Sequence, residues 1–197
     1  MTILQAFHAA GVENALAGVI HDPALAAEAH ERGLGATFDA RFNRALVNQA
    51  GSGAFSKPFT APAVVAGLRD QPIRGRRGIY ANNTLDIGKA AALTLDGITV
   101  VVLTHRYQCA DPMFFEVFGI DIAAARVVLV KSRGHFRGGF DEFFRHDQVI
   151  EVDAPGLTSP ILSRFSWRHI PRPVLPIDDT AEWNPPGGTP PIGAPPA

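Results

Sequence analysis

The sequence predicts a mixed α/β (α+β) domain, because three patterns follow one another along its 197 residues. A strand followed by a helix opens the chain, within residues 14–33. Residues 35–105 form short apolar runs separated by turn residues, which is typical of an antiparallel β meander. Over residues 126–153 the pattern becomes strand, helix, strand, which is an α/β arrangement.

The first elements carry clear start and stop signals. Residues 2–10 have apolar side chains at helical spacing, so a short helix is expected before the strand at 14–20. The next helix has Asp22 as its N-cap, Pro23 at its first position and Gly33 beyond its end.

The middle and last sections are predicted from similar signals. Asp96 and Gly97 separate two apolar runs and predict a tight hairpin, whereas residues 43–60 have no clear period and are expected to be a loop. Asp111 and Pro112 repeat the cap-then-proline signal at the start of a helix over 111–119. A strand at 126–131, an aromatic helix at 133–145 and a strand at 148–153 follow.

The end of the chain differs from the rest in composition. After residue 178 proline and glycine dominate, and little apolar surface remains to be buried. We therefore expect a single domain over 1–178 and a disordered Pro/Gly-rich tail over 179–197.

Composition excludes several classes of protein. Apolar residues make up 46% and the net charge is -1, so neither a nucleic-acid partner nor a membrane surface is indicated. Cys109 is the only cysteine, which excludes an internal disulfide and favours a reducing compartment. A lone cysteine is most often a small core residue. With no signal peptide or spanning segment recognisable, a soluble cytoplasmic protein is expected.

Cationic residues cluster where the strand at 126–131 ends. Ser132 is a good N-cap, so Arg133 to His135 would form a first helical turn with free N–H groups. Cations are disfavoured at that end of a helix dipole, and a bound carboxylate or phosphate would remove the conflict. This predicts an anion-binding site formed by Lys131, Ser132, Arg133, His135 and Arg137.

A structural role fits these residues equally well. The cations would then be solvated or paired with Asp141 and Glu142, and His135 would cap neighbouring backbone. Arg106 follows the strongest predicted strand, a common place for binding residues, and joins the candidate substrate-binding set, although a simple strand end also explains it.

The histidines give no local metal-binding signal. None of them forms an H-x-x-x-H or H-E-x-x-H pair, so no zinc site is predicted from spacing. An intact small hydrolase would need ligands drawn from distant positions, among His21, His30, His105, His135 and nearby acids.

The runs "VVLVKSRGHFRGGF" and "VIEVDAPGLTSPILSRFSWRHIPRPVLPID" resemble the C-terminal domain of the MlrC (microcystinase C) family of zinc metallopeptidases. The resemblance extends back through "TLDIGKAAALTLDGITVVVLTHRYQCADPMFFEVFGID" to "ENALAGVIHDP" and covers nearly all of residues 3–178. The loop at 43–60 matches poorly.

The resemblance implies a domain of a metallopeptidase or metallohydrolase that acts on short peptides or amides. Family members hold zinc in an N-terminal domain, so no catalytic residue and no metal ligand carries over, and no zinc is expected on this chain alone. The matched motif implies a role in binding a peptide or carboxylate substrate, with the missing N-terminal domain or a second copy as partner. It comprises Lys131, Ser132, His135, Phe136, Arg137 and Phe140. The alternative is a stand-alone module that binds small anions without catalysis.

Overall fold

The computed structural model describes residues 1–44, 58–154, 159, 161–175, 177 and 178. The chain divides into two compact units, which are Met1–Leu157 and Thr158–Ala197. The predicted tail and most of the predicted loop at 43–60 lie outside the described residues. The tail and the boundary at residue 178 therefore stay predictions.

A six-stranded mixed sheet forms the centre of the first unit. Its strand order is β2-β3-β6-β7-β1-β8, and β1 runs parallel to both of its neighbours, whereas the other pairs are antiparallel. A separate two-stranded sheet pairs β4 with β5. The strands are β1 (Ala15–His21), β2 (Thr37–Phe42), β3 (Phe59–Arg69), β4 (Ile73–Arg74), β5 (Thr84–Leu85), β6 (Ala90–Leu95), β7 (Ile98–Leu103) and β8 (Val127–Val130).

The predicted meander is confirmed by β2, β3, β6 and β7, which pair in antiparallel fashion. Between β6 and β7 the turn residues Asp96 and Gly97 have φ angles of 41° and 85°. A two-residue type I′ turn needs positive φ at both positions, which explains why this dipeptide closes the hairpin. The mixed α/β fold class predicted from the sequence is therefore correct.

Helices cover both faces of the sheet. Among the described residues the α-helices are α1 (Thr2–Ala9), α2 (Pro23–Arg32), α3 (Met113–Glu116) and α4 (Phe136–Phe140). On one face α1 and α2 bury Leu4, Leu25 and Ala29 against the sheet. On the other, α3, α4 and the small sheet pack Phe115, Phe140 and further apolar residues against it. Since β7 is covered on both faces, its apolar run is almost fully buried.

Two predictions for the last section of this unit are wrong in detail. The aromatic helix occupies Phe136–Phe140 rather than 133–145. Gly138 and Gly139 lie in its middle, and glycine disfavours the helical conformation, so a longer helix is not supported here. Residues 149–154 form no strand, although apolar and polar side chains alternate from Ile150 to Asp153 as they would in a strand. Their apolar side chains find no sheet partner, and Ile150 and Val152 are 85% and 61% exposed.

The second unit is described only between residues 159 and 178. It has a 3-10 turn at Leu162–Arg164, whose first carbonyl accepts a hydrogen bond from Trp167 Nε1 at 2.8 Å. The carboxylate of Asp178 binds the Arg172 guanidinium and accepts from the backbone N–H of Val174 at 2.6 Å. Across the described part of both units, no helix is long and apolar enough to cross a membrane.

Candidate anion-binding site

The carboxyl ends of three adjacent parallel strands lie at one edge of the sheet. His21, at the end of β1, lies opposite Leu103 of β7, and Gly18 of β1 lies opposite Val130 of β8. Neighbouring strands are about 4.8 Å apart. The segments that follow β7 and β8 therefore leave the sheet side by side, and ligand crevices form at such edges in α/β folds. The predicted residues Arg106 and Lys131 follow these two strands directly.

Arg106 contacts the end of the central parallel strand. Its Nη2 lies 3.5 Å from Nδ1 of His21, toward which the guanidinium donates. Burial lowers the pKa of His21, the positive charge of Arg106 lowers it further, and the carboxylate of Asp22 acts in the opposite direction. His21 therefore favours its neutral form, and Arg106 has no carboxylate partner among the described residues.

His105 is oriented by the loop before β6. Its Nδ1 lies 2.8 Å from the carbonyl oxygen of Asp86, which also accepts the Tyr107 hydroxyl at 3.0 Å. With Nδ1 hydrogen-bonded in this way, the second ring nitrogen, Nε2, is left for other contacts.

The residues after β8 do not form the helical turn expected from the sequence. Ser132 Oγ accepts a hydrogen bond from the N–H of Phe136 at 3.2 Å, but the helix begins only at Phe136. Arg133 and His135 precede the helix, so the predicted first turn with free N–H groups at 133–135 is wrong. At five residues α4 is too short for a strong dipole, and any anion binding here depends on side chains.

Lys131 and Arg133 remain available to a ligand. Both are exposed, and neither forms an ion pair within the described part of the chain. Lys131 lies near the N-terminal amino group of Met1, whose pKa is lowered by burial and by the lysine charge. The possible partners Asp141 and Glu142 are instead taken up by Arg77 and Arg76.

Arg137 differs from the other predicted cations in its contacts. Its guanidinium binds the carboxylate of Glu151 and lies 5.1 Å from the centre of the Phe136 ring. Its charge is already balanced by a carboxylate, so it holds residues 149–152 beside α4 and is less available to an anion.

Gln108 connects the two loops of the site and was not predicted from the sequence. Its side-chain oxygen lies 3.3 Å from Ser132 Oγ and 3.4 Å from His135 Nδ1. A lone glutamine after a strand gives no signal of this role, because its partners are 24 and 27 residues away.

The remaining candidates are structural. Cys109 is fully buried, and burial raises the pKa of its thiol, as expected for a core residue. His30 Nε2 lies 3.0 Å from the carbonyl oxygen of Ala90, so this histidine ties α2 to β6. Within the described ranges, no three residues among His, Cys, Asp and Glu are grouped so that they could hold a metal ion.

The sequence model of the family described as "MlrC C-terminus" matches residues 1–169. The chain belongs to this family. The MlrC C-terminal domain described here is 27% identical, over 128 residues, to Microcystinase C of a Sphingomonas species. That alignment covers 65% of this chain and 24% of the relative.

A solved structure supports the same relationship. This MlrC C-terminal domain superposes on the crystal structure of a candidate metallopeptidase from Mesorhizobium sp. BNC1 with a TM-score of 0.69 and 27% sequence identity. The match covers 92% of this chain and 35% of that protein. The chain therefore spans about a quarter to a third of the relatives it matches, and its fold is that of a peptidase-related domain.

Proposed function

We propose that this domain provides a substrate-anion-binding surface for an MlrC-type metallopeptidase that acts on short peptides or amides, and that it does not catalyse hydrolysis alone. The observation that carries the proposal is the set of cations at the carboxyl edge of the parallel strands. Arg106, Lys131 and Arg133 lack a carboxylate partner among the described residues, whereas Arg76, Arg77 and Arg137 each have at least one.

The chemistry of these groups suits a carboxylate. A guanidinium offers planar, paired N–H donors that match a carboxylate, and an ammonium adds a compact positive charge. Their position after β7 and β8 brings them to the edge where ligands bind in related architectures. Holding the carboxylate of a peptide would position its amide bond for attack by a water activated elsewhere in the longer protein.

The metal belongs to the rest of that longer protein in this proposal. The described residues contain no group that fits a metal ion, so zinc chemistry would be supplied by a partner region. This domain would then contribute binding and orientation of the substrate.

The partner region is proposed to dock where the predicted strand at 148–153 is unpaired. Ile150 and Val152 are both exposed, on a segment that the Arg137 and Glu151 pair holds beside α4. Because the chain spans only 24% and 35% of the two similar proteins named above, the occupant we propose is the remaining, metal-holding part of such a protein. The purified chain is mixed with a separately produced N-terminal region of a relative. If the chain stays monomeric and does not bind that region, the assignment is contradicted.

The binding proposal is tested by calorimetric titration of the purified chain with acetate and phosphate. Combined replacement of Arg106, Lys131 and Arg133 by alanine should weaken binding about tenfold or more. Arg41→Ala is the matched control, because Arg41 is an exposed cation on β2, an edge strand far from β8 in the strand order. The proposal would be contradicted if Arg41→Ala lost as much anion affinity as the triple variant, or if the parent chain bound neither anion. Anion binding that is unaffected by any partner region would favour the stand-alone module.

A further inference from the structure

Gln108 accepts hydrogen bonds from two residues of the neighbouring loop. The N–H of Phe136 donates to Ser132 Oγ at 3.2 Å, and the hydroxyl of Ser132 then donates to Gln108 Oε1 at 3.3 Å. His135 Nδ1 lies 3.4 Å from the same oxygen. An amide oxygen can only accept, so the contact is a hydrogen bond when the proton of His135 is on Nδ1.

The backbone around Gln108 is held in place by packing. Its N–H donates to the hydroxyl of Tyr80 at 3.2 Å, and the next residue, Cys109, is fully buried. Tyr80 in turn packs edge-on against Tyr107 and Phe114. The amide of Gln108 therefore extends from a fixed loop, which allows it to orient a neighbouring ring.

We infer that Gln108 is a positioning residue that keeps neutral His135 in the Nδ1–H tautomer, with the lone pair of Nε2 directed to the ligand. In this neutral form His135 can accept a hydrogen bond at Nε2. His105 has the same arrangement, because its Nδ1 lies 2.8 Å from the carbonyl oxygen of Asp86. Two exposed imidazoles at this edge thus each have Nδ1 hydrogen-bonded to an oxygen.

This assignment defines the class of ligand more narrowly than charge does. In the proposed function Arg106, Lys131 and Arg133 bind a carboxylate, and Nε2 of His135 would accept from an N–H donor of the same ligand. An N-acylated amino acid or the end of a peptide carries both groups. The ligand class rests on the proposed function, whereas the tautomer of His135 does not.

The tautomer is measured by long-range proton–nitrogen NMR of the 15N-labelled chain at a pH where His135 is neutral. The His135 signals are assigned from their loss in His135→Gln. We expect a protonated Nδ1 and an unprotonated Nε2. A proton on Nε2, or fast exchange between both tautomers, would overturn the inference.

Variants separate positioning from simple packing. Gln108→Leu should release His135 to a mixture of tautomers, and Gln108→Glu should restore Nδ1–H because a carboxylate also accepts. Gln71→Leu is the control, since Gln71 is an exposed glutamine bonded only to Asp70 among the described residues. If Gln108→Leu fails to fold, the signals of the parent chain and of Gln108→Glu still decide the question.

The ligand class is tested with two isosteric probes. N-acetylglycine and 4-oxopentanoate share a carboxylate and a carbonyl, but only the first has an N–H. We expect the first to bind about fivefold more tightly, and the preference to disappear in His135→Ala. Equal affinities would overturn this ligand class. Binding of neither probe would refute the proposed function, while the tautomer measurement would still stand.

Discussion

The guanidinium of Arg106 lies 3.5 Å from Nδ1 of His21 and joins the ends of two adjacent parallel strands. The guanidinium is positively charged and would repel a protonated His21, so the contact favours the neutral form of this histidine. The chain therefore places a neutral imidazole beside an arginine at the edge where we propose that anions bind.

Stability should fall on acidification because of His21. Its pKa is below the ordinary value of 6.5, so the unfolded chain takes up this proton at a higher pH than the folded chain does. The contribution of neutral His21 to the free energy of unfolding is fully present above pH 6.5. It is lost as the pH falls toward the pKa of His21 in the folded chain. Arg106→Ala should raise the pKa of His21 in an NMR titration and reduce this loss. Burial, the larger cause, remains in the variant, so the pKa should stay below 6.5. A pKa of His21 that is unchanged by Arg106→Ala would contradict the electrostatic account.

Adjacent glycines of α4 should respond in opposite ways to alanine. A Cβ on Gly139 would lie 2.2 Å from the carbonyl oxygen of Ala110, whereas one on Gly138 would meet nothing within 4 Å. Gly139→Ala should therefore destabilise the fold by about 1–3 kcal/mol, because backbone must move. Gly138→Ala should be neutral or stabilising by up to about 1 kcal/mol, since alanine favours the helix. Urea denaturation of both variants measures the difference, and equal midpoints would refute the close packing.

The carboxylate of Asp111 should be essential for folding of the first unit. It is fully buried and accepts hydrogen bonds from the N–H groups of Arg76, Arg77 and Met113, at 2.7, 2.8 and 2.9 Å. Asp111→Ala leaves three donors without a partner and should cost about 3 kcal/mol or more in the free energy of unfolding. Asp121→Ala is the control, because Asp121 is exposed and accepts from one N–H, that of Ala123. A loss for Asp111→Ala no larger than the control's would contradict this role.

The thiol of Cys109 should be unreactive in the native chain. It is fully buried and its pKa is raised, so little thiolate forms and reagents have no access. A colorimetric thiol assay should detect about one reactive group only after denaturant is added. Rapid labelling of the native chain would show that the core around α3 opens easily.

Features that depend on neighbouring residues could be predicted from the sequence. Asp22 caps α2 by accepting from the N–H of Leu25 at 3.1 Å, and the Asp96 and Gly97 turn closes the hairpin. Ser132 was predicted to be the N-cap, but the N-cap of α4 is His135 and the helix starts later than expected. Ser132 Oγ nevertheless accepts a hydrogen bond from the N–H of Phe136. Local chemistry identifies such residues, although it does not fix where a short helix begins.

The candidate site depends on contacts between distant residues, and this limited the prediction. Gln108 and His135 are 27 positions apart, and no periodicity connects them. The segment at 148–153 alternates like a strand, but alternation does not show whether a neighbouring strand is available to pair with it. Pairing depends on the whole sheet, so Ile150 and Val152 are exposed instead of buried.

The position of β1 has a consequence for synthesis of the chain. This strand is made before both of its neighbours, β7 and β8, which come from residues 98–130. During translation β1 cannot pair with either neighbour until the residues of β7 have left the ribosome, whereas the β6 and β7 hairpin can form as soon as it emerges. Pairing between distant segments is slow and leaves apolar strands exposed meanwhile. The apolar run at 15–20 therefore stays exposed for longer than the β6 and β7 hairpin does, and we expect it to benefit from chaperones before folding is complete.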